Sequence, residues 1–109
     1  MELTARQRQY LKGLGHHRKA VIHVGHHGIT AELCVETGRA LQAHELIKVK
    51  FSDTAPGDRR EAAGQLARET GAAVAQVIGR VALLYKRREE DPEIVLPAAS
   101  AARPARKAR

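Results

Sequence analysis

An apolar run, Val21 to Val24, ends in Gly25-His26-His27-Gly28-Ile29, and Thr30 then opens a helical pattern. That order leaves few options. A short strand must hand over to a helix through a glycine-bounded loop. Glycine has no Cβ, so such a loop lets another backbone or an anion come close. The free amides and the dipole of the helix that follows favour an anion at the same place. On spacing alone, a plain strand-to-helix turn explains the glycines equally well.

The rest of the chain reads as alternating elements. Thr4 with Gln7 forms a capping box, which opens a short helix expected to stop near Lys12 and Gly13. Tyr10, Leu11 and Leu14 are its expected buried residues, and His16 to Lys19 form a basic connector. Ala20 to Val24 is a buried strand. Residues 30–44 form an amphipathic helix, with Leu33, Thr37 and Leu41 on its inner side. Gly38 lies inside that helix, and close packing against another element would account for it.

Residues 45–51 alternate. Ile47, Val49 and Phe51 face one way; Leu46, Lys48 and Lys50 face the other, as on a half-exposed strand. Ala55-Pro56-Gly57 marks a turn. Asp58 followed by Glu61 opens a third helix, and Gly71 ends it. Strands over Ala73–Ile78 and Val81–Lys86 are joined by Gly79-Arg80, which is hairpin spacing with a type II′-like signal. The order αβαβαββ, with strands separated by helices, implies right-handed crossovers. It predicts a compact α/β sandwich with a four-stranded mixed sheet. Residues 1–97 are expected to form one domain. Beyond Pro97 the Ala/Pro/Arg composition predicts a disordered basic tail over 98–109.

Charge narrows the partner. Nineteen Lys and Arg oppose twelve Asp and Glu, a formal net charge of +7. A charge of that size attracts polyanions and speeds encounter with them. Tyr10, Phe51 and Tyr85 are the only aromatic rings besides histidine. That scarcity disfavours base stacking on an exposed sheet and favours recognition of phosphate and backbone. The residues expected at such a contact are Gly25, His26, His27, Gly28 and Thr30 in the loop. Lys12, Arg18 and Lys19 could flank it, and Lys48, Lys50 and Arg80 add charge. The two strand lysines are equally explained as a solvated face or as guards of an exposed edge.

Other chemistry has little support. The chain lacks a serine elbow, a paired-carboxylate setting and the Lys-Ser/Thr ending of a phosphate-binding loop, so no catalytic residue is expected. Cys34 is the only cysteine, which excludes an internal disulfide and a cysteine-based zinc cluster. Its place on a helix suits a small buried hydrophobe. The six histidines lack patterned carboxylates or finger spacing, so neither a metal nor a cofactor is expected. No apolar run approaches the ~18 residues of a membrane span. The expected compartment is the reducing cytoplasm.

Five ordered blocks carry a family likeness: Gln9-x-Leu11-Lys12-Gly13-Leu14-x-His16; Val24-Gly25-x-x-Gly28-Ile29-Thr30; His44 to Lys50; Glu69-Thr70-Gly71-Ala72; and Gln76-Val77-Ile78-Gly79-Arg80 with Leu84-Tyr85. With these blocks the chain resembles the CRM domain, the chloroplast RNA splicing and ribosome maturation module, in its stand-alone bacterial YhbY-like form. The resemblance implies a fold similar to the C-terminal domain of translation initiation factor 3. It also implies RNA binding through the glycine loop, here Gly25 to Gly28, and an association with precursors of the large ribosomal subunit. Family loops often carry Lys, Asn or Ser where this one has His26-His27. The expectation is a monomeric, non-catalytic RNA-binding protein that assists ribosome assembly. The competing expectation is a protein-interaction adaptor on the ribosome or its assembly factors, without direct RNA contact.

Overall fold

The computed structural model describes residues 2–98. Its elements are α1 (Ala5–Gly15), β1 (Ala20–Val24), α2 (Ala31–His44), β2 (Leu46–Phe51), α3 (Arg59–Thr70), β3 (Ala73–Ile78) and β4 (Val81–Tyr85). The sheet order is β1-β2-β4-β3. Strand β1 is parallel to β2, while β4 is antiparallel to both β2 and β3. Strands β1, β2 and β3 therefore run in one direction, and β4 returns between β2 and β3. The expected α/β architecture with a four-stranded mixed sheet is the one observed.

Local chemistry sets the helix starts. The Thr4 hydroxyl accepts from the Gln7 amide at 3.1 Å, and Gln7 Oε1 accepts from the Thr4 amide at 3.0 Å. Thr30 caps α2 by accepting from Leu33, and Asp58 caps α3 by accepting from Arg60 and Glu61. Gly71 ends α3 at φ 78°, and Gly79 opens the β3–β4 turn at φ 58°, the positive sign that a primed hairpin turn requires.

The sheet is covered unequally. On one face α2 and α3 bury Ile22, Val24, Leu41, Ile47, Val49, Phe51, Leu66 and Leu84. On the other, α1 covers Leu46, Leu83 and Tyr85, helped by Ile94 and Leu96. That second face is only partly shielded. Leu46 is buried, Lys48 is half-buried and Lys50 is exposed. The alternation of β2 was read correctly, but Leu46 is not solvated, because α1 and Tyr85 close over the start of the strand.

Helix α1 also runs past its expected end. It continues through Gly13 to Gly15, where a Cβ would lie 2.7 Å from the Leu83 methyls. Close seating on the sheet outweighs the helix penalty of about 1 kcal/mol per glycine. Tyr10, expected inside, is 41% exposed on the outer side of this helix. A Cβ at Gly38 would meet nothing within 4 Å. Close packing is therefore not the reason for a glycine there.

The segment after β4 is held in place. Glu45 stands between α2 and β2 at φ 64° and is fully buried, although it was expected to begin the strand. Its carboxylate accepts the amides of Arg88 at 2.9 Å and of Glu93 and Ile94 at 2.8 Å each. Gln7 Nε2 donates to the Pro97 carbonyl at 2.9 Å. These bonds draw residues 88–97 across the end of the sheet and seat Ile94 and Leu96 on the α1 cluster. The predicted basic tail from 99 onward lies outside the described residues.

Candidate nucleic-acid interface

Because β1, β2 and β3 are parallel, their carboxyl ends meet at one end of the sheet. The Phe51 amide donates to the Arg80 carbonyl and the Ser52 amide to the Val24 carbonyl, which ties the three exits together. Each of the first two strands feeds a helix, so the N-termini of α2 and α3 open at this same end. Helix geometry leaves first-turn amides such as Ala31 and Glu32 without intrahelical acceptors, and both dipoles favour negative charge there.

The glycine loop sits in this cluster. The Gly28 amide donates to the Gly25 carbonyl at 3.0 Å, which closes a four-residue turn. Its two glycines have different roles. Gly28 takes φ 71°, and a Cβ on it would come within 3.1 Å of Pro56 Cγ, so it is required by conformation and by the neighbouring loop. Gly25 has no neighbour within 4 Å of an ideal Cβ, so its backbone stands open to a ligand. His26 and His27 are exposed at the tip with ring centroids 4.0 Å apart. The Thr30 hydroxyl is engaged as the helix cap. Exposed Glu32 places a carboxylate in the first turn of α2, where it opposes a second anion.

Lysines lie beside the loop on the partly covered sheet face. Registered pairs His23–Lys50 and Ile22–Val49 put His23 on the same face as Lys50, while Ile22 and Val49 turn inward. His23, Lys50, half-buried Lys48 and exposed Val21 thus form a surface leading up to Gly25. His23 was not among the expected contacts, although the alternation of β1 against β2 would have placed it there. Arg80 also reaches this end, but it is ion-paired with Asp53 in the loop after β2.

Three expected residues are not brought to the loop. Arg18 and Lys19 precede β1 and lie with His44 and Leu46 at the opposite end of the sheet. Arg18 Nη1 donates to the Leu46 carbonyl at 3.1 Å. Lys12 is on the last turn of α1, facing the free edge of β3. The same opposite end holds the C-termini of α2 and α3, and other cations are engaged there. Lys86 Nζ donates to the Thr70 carbonyl at 2.9 Å. Arg88 Nη1 donates to the Gln42 and Ala43 carbonyls at 3.3 and 3.2 Å. Both stabilise helix C-termini through charge and hydrogen bonding. Arg18, Lys86 and Arg88 at that end are thus engaged with carbonyls, while Lys50 and the N-termini of α2 and α3 lie at the loop end. Arg59 and Arg60, in the first turn of α3, belong to the loop end and were missed.

Other chemistry is limited. Among the described residues no three His, Cys, Asp or Glu side chains group as metal ligands. Burial, then Glu69, hold the half-buried Cys34 thiol above its ordinary value, which disfavours a nucleophilic thiolate. Among the described residues no helix is long and apolar enough to cross a membrane.

Residues 3–86 match the family model described as the CRS1 / YhbY (CRM) domain. The chain is similar to an RNA-binding protein of Haemophilus influenzae, 40% identical over 95 residues, which span 87% of this chain and 95% of that one. It is 32% identical over 95 residues to the probable RNA-binding protein YqeI of Bacillus subtilis, covering 87% and 99% of the two chains. The solution structure of SAV1595 from Staphylococcus aureus matches with a TM-score of 0.76 at 32% identity, over 88% of this chain and 100% of that one.

Proposed function

The chain belongs to the CRS1 / YhbY (CRM) domain family, and from that membership we propose that it is a non-catalytic RNA-binding protein whose contact surface is the loop end of the sheet. The observation that carries this reading is that three strand exits and two helix N-termini share the end of the sheet that presents an open Gly25. RNA phosphate is the anion that suits such a surface. Backbone amides of the loop and of the first turn of α2 receive it. Lys50, Lys48 and the His23, His26 and His27 imidazoles lie alongside. Contacts of this kind position a nucleic acid without reading its sequence.

In the finer form of the proposal the ligand is precursor RNA of the large ribosomal subunit and the protein assists ribosome assembly as a cytoplasmic monomer. The support is the family resemblance carried by the five sequence blocks, together with the H. influenzae and B. subtilis relatives named for RNA binding.

Gly25→Asp tests the contact, since Gly25 has open space around it and the fold tolerates a side chain there. The expected result is a loss of RNA affinity of about tenfold or more, with an unchanged melting temperature. Affinity of the parent should fall with salt at a log–log slope of about 0.7 per phosphate contact. A Gly25→Asp protein that is folded and binds RNA as the parent does would remove the loop from the interface. A parent whose ribosomal association is insensitive to salt would favour the adaptor reading.

A further inference from the structure

Strand β3 is an edge strand: β4 pairs with one side of it, and among the described residues no strand pairs with the other. Its free edge forms the floor of a groove. Helix α1 contributes Arg8 and Lys12 to one wall, and α3 contributes Arg60 to the other. Val77 and Arg60 also line the hollow at the loop end, with Gly57, Arg59 and Gly79. The two depressions therefore share residues and form one path. It begins among the strand exits, passes the N-terminus of α3 and follows β3 back to α1.

The path is basic along its length. Arg8, Lys12, Arg59 and Arg60 are all exposed. Arg8 Nη1 donates to the Leu3 carbonyl at 2.7 Å, and among the described residues none of the four is ion-paired. Asp58, the acidic residue on the path, directs its carboxylate to the amides of Arg60 and Glu61 as the α3 cap. Charged side chains also guard a free edge against other strands. Here cations from helices on opposite faces of the sheet converge on a single edge. That edge is continuous with the loop end.

We propose that the β3 edge is a second RNA-binding track, which holds the single strand that continues from nucleotides bound at the glycine loop. This rests on the proposed loop contact and extends it. Lys12 and Arg60 meet successive phosphates, and outward amides of β3 add donors between them. An unpaired strand edge is also a template for an extended peptide. The charge and the continuity with the loop end favour RNA.

The test compares single-stranded RNA of ~4 and ~12 nucleotides, lengths within the range of site sizes for single-strand binding domains. The proteins are the parent, Gly25→Asp, and Lys12→Gln with Arg60→Gln. Both glutamines replace exposed side chains, and circular dichroism confirms the fold. The double variant should bind the long RNA about tenfold more weakly, with a salt slope lower by about 1.4 for two lost contacts. Its loss on the short RNA should be clearly smaller than on the long RNA, because Arg60 borders the loop end while Lys12 lies only on the track. Gly25→Asp should weaken both. Equal affinity of parent and double variant for the long RNA would overturn the track. So would amide exchange protection of β3 by a polyglutamate peptide but not by long RNA. If Gly25→Asp binds both RNAs normally while the double variant loses the long one, the loop contact fails and the edge stands as an independent site.

Discussion

Gly28 faces Pro56 so closely that a Cβ on Gly28 would lie 3.1 Å from Pro56 Cγ. The loop after β1 therefore passes close to the loop after β2, and Gly28 also holds φ 71°. Gly25, three residues earlier, has neither constraint. Gly28→Ala is therefore predicted to destabilise the fold by about 1–2 kcal/mol, the usual penalty of a left-handed non-glycine residue. Gly25→Ala should stay within about 0.5 kcal/mol, as expected away from such features. Urea unfolding of the two variants checks the difference.

Glu45 gives the fold an acid-sensitive clamp. Burial pushes its carboxyl upward, but the amides of Arg88, Ile94 and Glu93, with the Arg88 charge, outweigh this and leave it below the ordinary carboxylate value. A depressed folded value means that the stabilisation is complete above the unfolded carboxylate range. It is lost as pH falls through the folded value. Glu45→Gln should cost about 2–3 kcal/mol near neutral pH, in line with charged hydrogen bonds. It should also flatten the acid limb of the stability profile. Denaturant melts between about pH 7 and pH 3 measure both.

Gly38 offers the opposite effect. It lies inside α2 with open space where a side chain would go. Gly38→Ala should stabilise the protein by about 0.5–1 kcal/mol through helix propensity. Thermal unfolding would show it as a higher midpoint.

The loop tip carries imidazoles and is followed by a first-turn carboxylate. Replacing both His26 and His27 with Lys should tighten RNA binding several-fold and steepen its salt dependence, by adding fixed charge at exposed positions. Glu32→Gln should tighten it by a smaller factor, because it removes an anion from the N-terminus of α2. Fluorescence anisotropy with one RNA at two salt concentrations tests both.

Much of this was legible in sequence because it is local. Thr4 with Gln7, Thr30, Asp58 and Gly71 set helix ends through partners within a few residues, and Gly79 set a turn through its own φ. Alternation along β2 correctly separated Val49 from Lys50. What escaped depends on segments far apart in the chain. Glu45 is defined by amides 43 to 49 residues away. Arg18 was expected beside the loop, yet it donates to the Leu46 carbonyl, and Lys86 and Arg88 likewise meet carbonyls of distant elements. Gly13 read as a helix stop because the seating of Gly15 on Leu83 is a tertiary contact. Arg59 and Arg60 joined the site only through the parallel direction of β1, β2 and β3.

The central claim is that RNA is held where these strands end. Amide chemical-shift mapping of the isotope-labelled chain during titration with single-stranded RNA tests it most directly. The account predicts the largest changes at Gly25, His26, His27, Gly28 and Lys50, with little change at His44, Arg87 or Arg88 at the opposite end. Changes concentrated at the C-termini of α2 and α3, with a silent glycine loop, would contradict it.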